Sequence, residues 1–534
     1  MPDSAVSSPV SAFFALNRLG FGARPGEAAE LARRGFRVWL DEQLKPPPDD
    51  DPETAQALED AQLRIKYAAG DPAKNQNWEA VDEMRPLVTL AQPIDALWPT
   101  VAERDKHDGS ERRRPLLEVI SATLIRAVHS HYPLREAMCN FWHDHFNVDA
   151  WDSEQVAVAL PTYDRDVIRP NCLGNFRHLL ESVATSTAML YYLSNHSSRA
   201  GAANENYGRE LFELHTLGRQ AYLNDKYDRW RDVPGAPEGR PVGYIDEDVY
   251  ESARSFTGWT VEDGTAIDGG RKLPQTGRFA YVENWHDGYQ KRVLAADITE
   301  FQPAMADGRR VLDLVASHPA TALFVCTKLV RRLVADNPPA GLVEAATRIW
   351  RDNLRAPDQI AKVVRAIALS PEFAASRGVK VRRPFALVAG FARTGGLDLM
   401  PTEPLINTIS AAGQRLYGYP NPTGLPDDKA YFLGTNSMRA RWQLALGLAQ
   451  NSWGTGAFHP AAVMGEAAPS ARDAAAFWLA AFTGSADPQQ VAAIVDGMGL
   501  VPEQPVGPPD TPDAEKRLVL IAAYAAMSPG FQSC

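Results

Sequence analysis

PLREAMCNFWHDHFNV, residues 133–148, reads as a helix carrying the densest chemistry in the chain. Pro133 suits a first turn, where its missing N–H leaves nothing unpaired. Glu136, Asn140, His143 and Asn147 recur at i, i+4, i+7 and i+11, so they share one face. Leu134, Met138, Phe141 and His145, with the bulky Trp142, cover the other. His143 and His145 stand about 200° apart around the axis, so one straight helix cannot aim both at one ion.

The helical period continues on both sides of this stretch. Ser11 to Gly22 and Glu27 to Leu44 read as helices, the second with Leu31, Phe36, Trp39, Leu40 and Leu44 on one side. Residues 46–115 read as irregular, with PPPDDDPE a turn-rich break and DKHDGSERRRP an exposed loop. Leu116 to Asn147, Leu173 to Leu193 and Asn204 to Leu217 are helical, the last stopped by Gly218. Residues 218–300 change character, with Pro234, Pro237 and Pro241, several glycines and β-like pieces such as GRFAYVENW around a helix from Asp246 to Thr257. Helical periodicity then returns in segments from 307 to 450 and again at 471–483 and 513–526, with residues 454–469 composed as a linker. The expected fold is mainly α: a large multi-helix array with an irregular, partly β insertion. Its regions are 1–217, 218–300, 301–453 and 454–534, joined as one continuous body.

The 534 residues are 45% hydrophobic and 23% charged, as in ordinary globular proteins, and carry a net charge of −11. An acidic surface argues against nucleic acid, which demands a basic stripe, and against an anionic membrane surface. No stretch reaches the roughly 18 apolar residues of a membrane span. The first residues, MPDSAVSSPVSAFFALNRLGFG, lack a basic start before their apolar run, which Arg18 breaks, so they make a poor secretory signal. Cys139, Cys172, Cys326 and Cys534 form no CxxC pair, a pattern suited to a reducing compartment. The expected location is the cytoplasm, unless an export signal has been removed.

NENYGRELFELH, residues 204–215, repeats the two-sided pattern. Asn206, Glu210 and Glu213 form a polar stripe, and Tyr207, Gly208, Leu211, Phe212, Leu214 and His215 cover the apolar side. Carboxylates and imidazoles on facing helices are the usual materials of a metal site in a bundle. If the polar stripes face each other, Glu136, His143, Glu210 and Glu213 could hold one or two ions of iron, copper, manganese or zinc. If the apolar faces meet, His145 and His215 approach in a dry interior and could act as an acid–base pair. Neither helix carries the Glu-x-x-His of di-iron bundles. The plain alternative is a solvated stripe with a surface pair between Arg209 and Glu205 or Glu213, and core histidines.

His286 and Asp287 lie in the irregular insertion as candidate catalytic groups, set against a simple Asx turn before Gly288. Arg254 is expected to tie its helix to a carboxylate of the main body and is a candidate substrate contact, and Asp248, or Glu247 beside it, to serve as a first-turn charge or a further ligand. Lys328, Arg331 and Arg332, and separately Lys380, Arg382 and Arg383, are basic clusters that could receive an anionic substrate group, or simply solvated faces. No Walker loop, GxGxxG, GxSxG or HExxH is present.

Several blocks resemble, in order, a bacterial family catalogued as domain of unknown function 1800. They are LNRLGFGARPGE, REAMCNFWHDHFNV, YDRDVIRPNCLGNFRHLLESVATSTAMLYYLSNHSS running into NENYGRELFELHTLG, DEDVYESARSFTGW, ENWHDGYQK, HPATALFVCTKLVRRLV, KVRRPFALV and PNPTGLPDD. Eight ordered blocks are far more specific than one short motif. The resemblance implies no assigned activity. It implies relatives that are often exported and often sit beside sulfatase-like partners. This chain departs in showing no export signal and in lacking the tryptophan that commonly follows the glycine of PNPTGLPDD.

Together these features lead us to expect a metal-dependent enzyme, leaning to an oxidoreductase on a small or glycosidic molecule. A metal-assisted hydrolase and a non-catalytic scaffold are the alternatives. A carbohydrate-binding module would instead show an exposed aromatic platform, for which Trp151, Trp230 and Trp285 are the candidates.

Overall fold

A computed structural model describes residues 10–465, 469–508 and 511–534. Residues 1–9, which hold the start of the stretch read for an export signal, lie outside the described residues, as do 466–468 of the expected linker. Helix α1 (Ala12–Arg18) starts where Ser11 accepts the Phe14 N–H. The periodic stretch 27–44 forms two helices, α2 (Glu27–Arg34) and α3 (Phe36–Gln43), because Gly35 between them adopts φ 89°. After α4 (Pro52–Asp60), the stretch expected to be irregular holds an antiparallel hairpin, β1 (Gln62–Tyr67) with β2 (Val81–Pro86). Leu63 and Ile65 of β1 alternate inward. The expected loop DKHDGSERRRP is instead the start of α5 (Gly109–His129), capped by Asp108 on the Ser110 N–H.

Helix α6 (Pro133–His145) holds the stretch that opened the sequence reading. Helix α7 (Glu154–Thr162) runs on into a π-helical segment, Tyr163–Ile168. The helix expected over 173–193 is two, α8 (Phe176–Ala184) and α9 (Thr187–Tyr192), because Ser186 begins a new turn by capping Met189. Helix α10 (Glu205–Glu210) passes into a second π-helical segment, Leu211–His215. The insertion carries α11 (Asp246–Ser255) and two antiparallel pairs, β3 (Trp259–Asp263) with β4 (Gln275–Tyr281) and β5 (Lys291–Val293) with β6 (Ala296–Ile298). Then come α12 (Ala306–Ser317), α13 (Pro319–Leu333), α14 (Ala340–Asp352), α15 (Gln359–Ala368), α16 (Pro384–Gly395), α17 (Thr435–Ala449), α18 (Ala471–Thr483) and α19 (Pro512–Met527).

The protein is therefore mainly α, with its strands in small two-stranded sheets. One hydrophobic core runs from Phe14 to Phe531 and takes side chains from all four sequence regions. None of the helices among the described residues is long and apolar enough to cross a membrane. Helix α6 sits inside this core: Leu134, Met138, Phe141 and Trp142 are buried, and the Trp142 indole N–H donates to the Cys172 carbonyl. Its polar face is buried too, with Glu136 5% and His143 7% exposed, so this stripe is not a solvated surface.

Candidate functional site

A buried ion network compensates the polar face of α6. Arg169 grips both Glu136 oxygens at 2.8 Å, and Arg135 adds a bond at 3.0 Å. Asp50 links Arg126, Arg135 and Arg169. Burial alone would raise the Glu136 carboxyl, but the charge and hydrogen bonds of Arg169, with Arg135 behind them, carry it down to about 2. Beyond it, the His143 Nε2 meets Asp164 Oδ1 at 3.0 Å. The π-helical turn presents Asp164, and burial pushes that carboxyl up less than the His143 bond and the Arg169 charge pull it down. Tyr417 stands edge-on over His143, with ring centres 4.8 Å apart, and its hydroxyl pairs with Thr123 at 2.6 Å. The Tyr417 backbone is left-handed, φ 54°, an uncommon conformation for a bulky residue. The His143 Nδ1 is buried with no hydrogen-bond partner among the described residues.

On the other face the two stretches meet at their C-terminal ends, through His145, Phe146 and His215. The His145 Nε2–H donates to the His215 carbonyl at 3.0 Å, and the two rings lie 6.5 Å apart. Trp142, Phe146 and Phe324 enclose them. Burial first, and then the nearby Lys328, push the His145 imidazole far down and the His215 imidazole to about 3. Both rings are therefore neutral at pH 7. Below pH 6.5 the unfolded chain takes up protons that the folded chain refuses. The His215 contribution to stability is thus fully present above pH 6.5 and is lost as the pH falls towards 3, by about 2 kcal/mol between pH 6.5 and 5, and His145 acts in the same direction. Urea unfolding at these two pH values should show that loss, and His215→Leu should remove the His215 share of it.

Glu210 and Glu213 occupy a separate, half-buried place where α10 enters its π-turn. The Arg209 guanidinium is bonded to Glu205 and Asp246. The cation paired with Glu213, Arg219, stands 3.9 Å off with its side chain 86% exposed. Burial, then the charge of Glu213, raise the Glu210 carboxyl to about 7. Tyr192 belongs to the same neighbourhood: burial raises its phenol to about 12, and Asp149 and Glu210 both add to the rise. Its hydroxyl donates to the Pro420 carbonyl at 3.2 Å, while the Asn147 amide donates to the Tyr419 and Asn421 carbonyls at 2.8 and 3.1 Å. The PNPTGLPDD loop thus lies against the end of α6 and the Tyr192 hydroxyl.

The four expected metal ligands, Glu136, His143, Glu210 and Glu213, do not form one ligand set. The first two are engaged by Arg169 and Asp164, and the second two stand elsewhere. Among the described residues, no three His, Cys, Asp or Glu side chains are arranged to hold an ion.

The expected insertion residues are tied into structural pairs. His286 bridges the Thr257 carbonyl at 3.0 Å and Asp307 at 3.1 Å, and buried Lys291 joins Asp307 at 2.7 Å. Asp287 takes a two-pronged bond from Arg254 at 2.7 and 3.0 Å and accepts the Tyr289 N–H, the turn geometry weighed for it. Arg254 thereby ties α11 to another part of the same insertion, and not to a carboxylate of the main body as expected. Asp248 accepts the Ile245 and Leu294 N–H groups, the first-turn role expected of it. The three tryptophans form no open platform: Trp285 is buried, and arginines lie over Trp151 and Trp230. Arg331 donates to the Asp336 carbonyl at 3.1 Å. Lys328 stands 5.6 Å over the Phe324 ring, and burial draws its ammonium down to about 8 against the pull of Asp427 and Asp144.

Sequence reasoning missed Asp164, Arg169, Asp50 and Tyr417, which complete the surroundings of α6. Asp164 and Arg169 stand within a quoted block, but nothing in their spacing shows that a π-turn aims Asp164 at His143. The fold and these groups define a helical protein with a buried network of ionisable side chains around one central helix. The chain matches, over residues 14–533, the family described as protein of unknown function (DUF1800), and it belongs to that family. No curated protein and no solved structure matches it.

Proposed function

We propose that the chain is an enzyme that performs acid–base chemistry on a small hydroxylated or glycosidic molecule, with Glu210 as the proton donor. One observation carries this reading. Glu210 is a half-buried carboxyl, its neighbouring Arg209 is bonded to Glu205 and Asp246, and burial with the charge of Glu213 raises it to about 7 against the pull of Arg209. A general acid works best when its pKa lies near the working pH, and paired carboxyls are the usual means of setting it there. In a glycosidic substrate the Glu210 proton passes to the leaving oxygen as the C–O bond breaks. Water then adds to the carbon, and a neighbouring carboxylate takes the water's proton. Asn147, Tyr192 and the 419–421 turn supply amide, phenol and carbonyl groups to orient hydroxyls.

This reading keeps the substrate class expected from the sequence and replaces the metal with a proton. The test is turnover of a panel of aryl glycosides and aryl esters by the full chain. Glu210→Gln, which keeps the shape and removes the proton, should lower kcat by about 100-fold or more with KM little changed. A panel that is not turned over, or a Glu210→Gln variant as fast as the parent, would overturn the proposal.

A further inference from the structure

Apart from the Glu210 site, a cleft enclosing about 780 Å³ of non-atom space, partly open to solvent, lies between α1, α6, the end of α13, the start of α16 and the segment 427–432. Five of the blocks quoted from the sequence meet there: LNRLGFG, REAMCN, VRRLV, KVRRPFA and the end of PNPTGLPDD. The apolar part of the wall is Phe21, Met138, Leu333, Phe385 and Phe432. The cations are Arg18, Arg332, Lys380, Arg382, Arg383 and Lys429, against Asp336, Asp427 and Asp428. Asp144, bonded to Arg383 and Arg332, and a negative charge at Cys534 that acts on Arg382 add to the anionic side and leave the cations in excess.

Part of this wall already grips an oxyanion of the chain itself. Arg332 and Arg383 converge on Asp427 Oδ1 at 2.9 and 2.7 Å, and Lys380 bonds the Asp427 carbonyl at 2.9 Å and the Asp336 carboxylate. Arg382 is different. It is 3% exposed, and its hydrogen bonds run to neutral oxygens, the Phe21 carbonyl at 2.7 Å and the Asn17 amide oxygen. Its face rests on Phe531 at 4.4 Å, and its Nε–H is buried with no partner among the described residues. Arg18, 6% exposed, also leaves its Nε–H unpaired, its other bonds going to Leu333, Val334, Ser376 and Cys534. The charge at Cys534 acts on Arg382 without a hydrogen bond between them, so this buried guanidinium bonds no carboxylate directly, and a further anion beside it would relieve the cost of its burial.

We propose that this cleft binds a small organic oxyanion, a carboxylate, phosphate or sulfate on an apolar body. Arg382 faces the anion, Lys429 stands at the mouth, and Phe385 and Phe432 pack against the body. Cations of this geometry match planar and tetrahedral oxyanions, and the apolar wall selects against a bare ion.

Isothermal titration calorimetry of the full chain with benzoate, phenyl phosphate, phenyl sulfate, inorganic phosphate and benzyl alcohol tests this. At least one aryl oxyanion should bind saturably at one site, the three arms showing which head group is preferred. Benzyl alcohol should not bind, and inorganic phosphate should bind about ten-fold more weakly or worse. Lys429→Glu, at an exposed position, should weaken the aryl oxyanion by about ten-fold, and Arg382→Lys by at least as much. Failure of every aryl oxyanion to bind would overturn the proposal. So would parent-like binding by Lys429→Glu, which keeps the test valid should Arg382→Lys not fold. Inorganic phosphate binding as tightly as the aryl anions would refute the organic body.

Discussion

Arg169→Met is expected to lower the unfolding free energy by about 3 kcal/mol at pH 7, since a buried carboxylate deprived of its partner is strongly destabilising. Arg169 holds both oxygens of Glu136 and also reaches Asp50, whereas Arg135 bonds Glu136 through one oxygen only. Methionine keeps the bulk and leaves the charge of Glu136 half compensated. The pH profile should change with it. In the parent, Glu136 titrates at about 2 when folded against 4.5 when unfolded. Its contribution is therefore present above pH 4.5 and is lost as the pH falls from there towards 2. The variant should lose less stability across that acid window, because Glu136 is already closer to its unfolded behaviour. Urea titrations of both proteins at pH 7 and pH 3 measure the two effects together. A variant as stable as the parent at pH 7 would show that the network is not what keeps the polar face of α6 buried.

Gly424→Ala should be nearly as damaging, by a different route. Gly424 holds φ +74°, and a Cβ there would stand 1.8 Å from the Asp144 carbonyl oxygen. Neither the backbone of α6 nor a left-handed alanine can absorb that contact, so the 419–428 loop must lift. The Asn147 bonds to Tyr419 and Asn421 and the Asp427 bonds to Arg332 and Arg383 would go with it. A loss of about 2–4 kcal/mol is expected, with new protease cleavage inside the loop. Gly434→Ala, where nothing lies within 4 Å, should stay within about 0.5 kcal/mol of the parent. Limited proteolysis and thermal melts of the pair check this, and an intact loop in Gly424→Ala would contradict it.

Much of the fold is legible from periodicity, because burial in a helical array imposes its period on the apolar residues. The breaks are harder to read. Gly35 splits one periodic stretch and Ser186 another, since a single left-handed glycine or a new N-cap ends a helix without disturbing the apolar pattern. The hairpin of β1 and β2 is hidden because its second strand, VDEMRP, exposes most of its residues and so shows no clean alternation. At the site, face arithmetic on residues 133–148 separates His143 from His145 correctly, and one of its two arrangements, with His145 near His215, is the one the chain adopts. The arithmetic cannot supply partners far away in sequence. Arg169 and Asp164 neutralise a stripe that reads as free ligands, and Asp164 reaches His143 from a π-turn that the sequence does not announce. The basic clusters at 328–332 and 380–383 are visible in the sequence, but only the fold shows that Arg332 and not Arg331 or Lys328 shares a cleft with Arg382.

The most direct test of the acid–base reading is the titration of the Glu210 carboxyl, followed by carbon-13 NMR of glutamate-labelled full chain with Glu210→Gln as the assignment control. A midpoint near 7 that moves down in Glu213→Gln, where the like charge beside it is gone, is the predicted result. A midpoint near 4.5 in the parent, unmoved by Glu213→Gln, would contradict it.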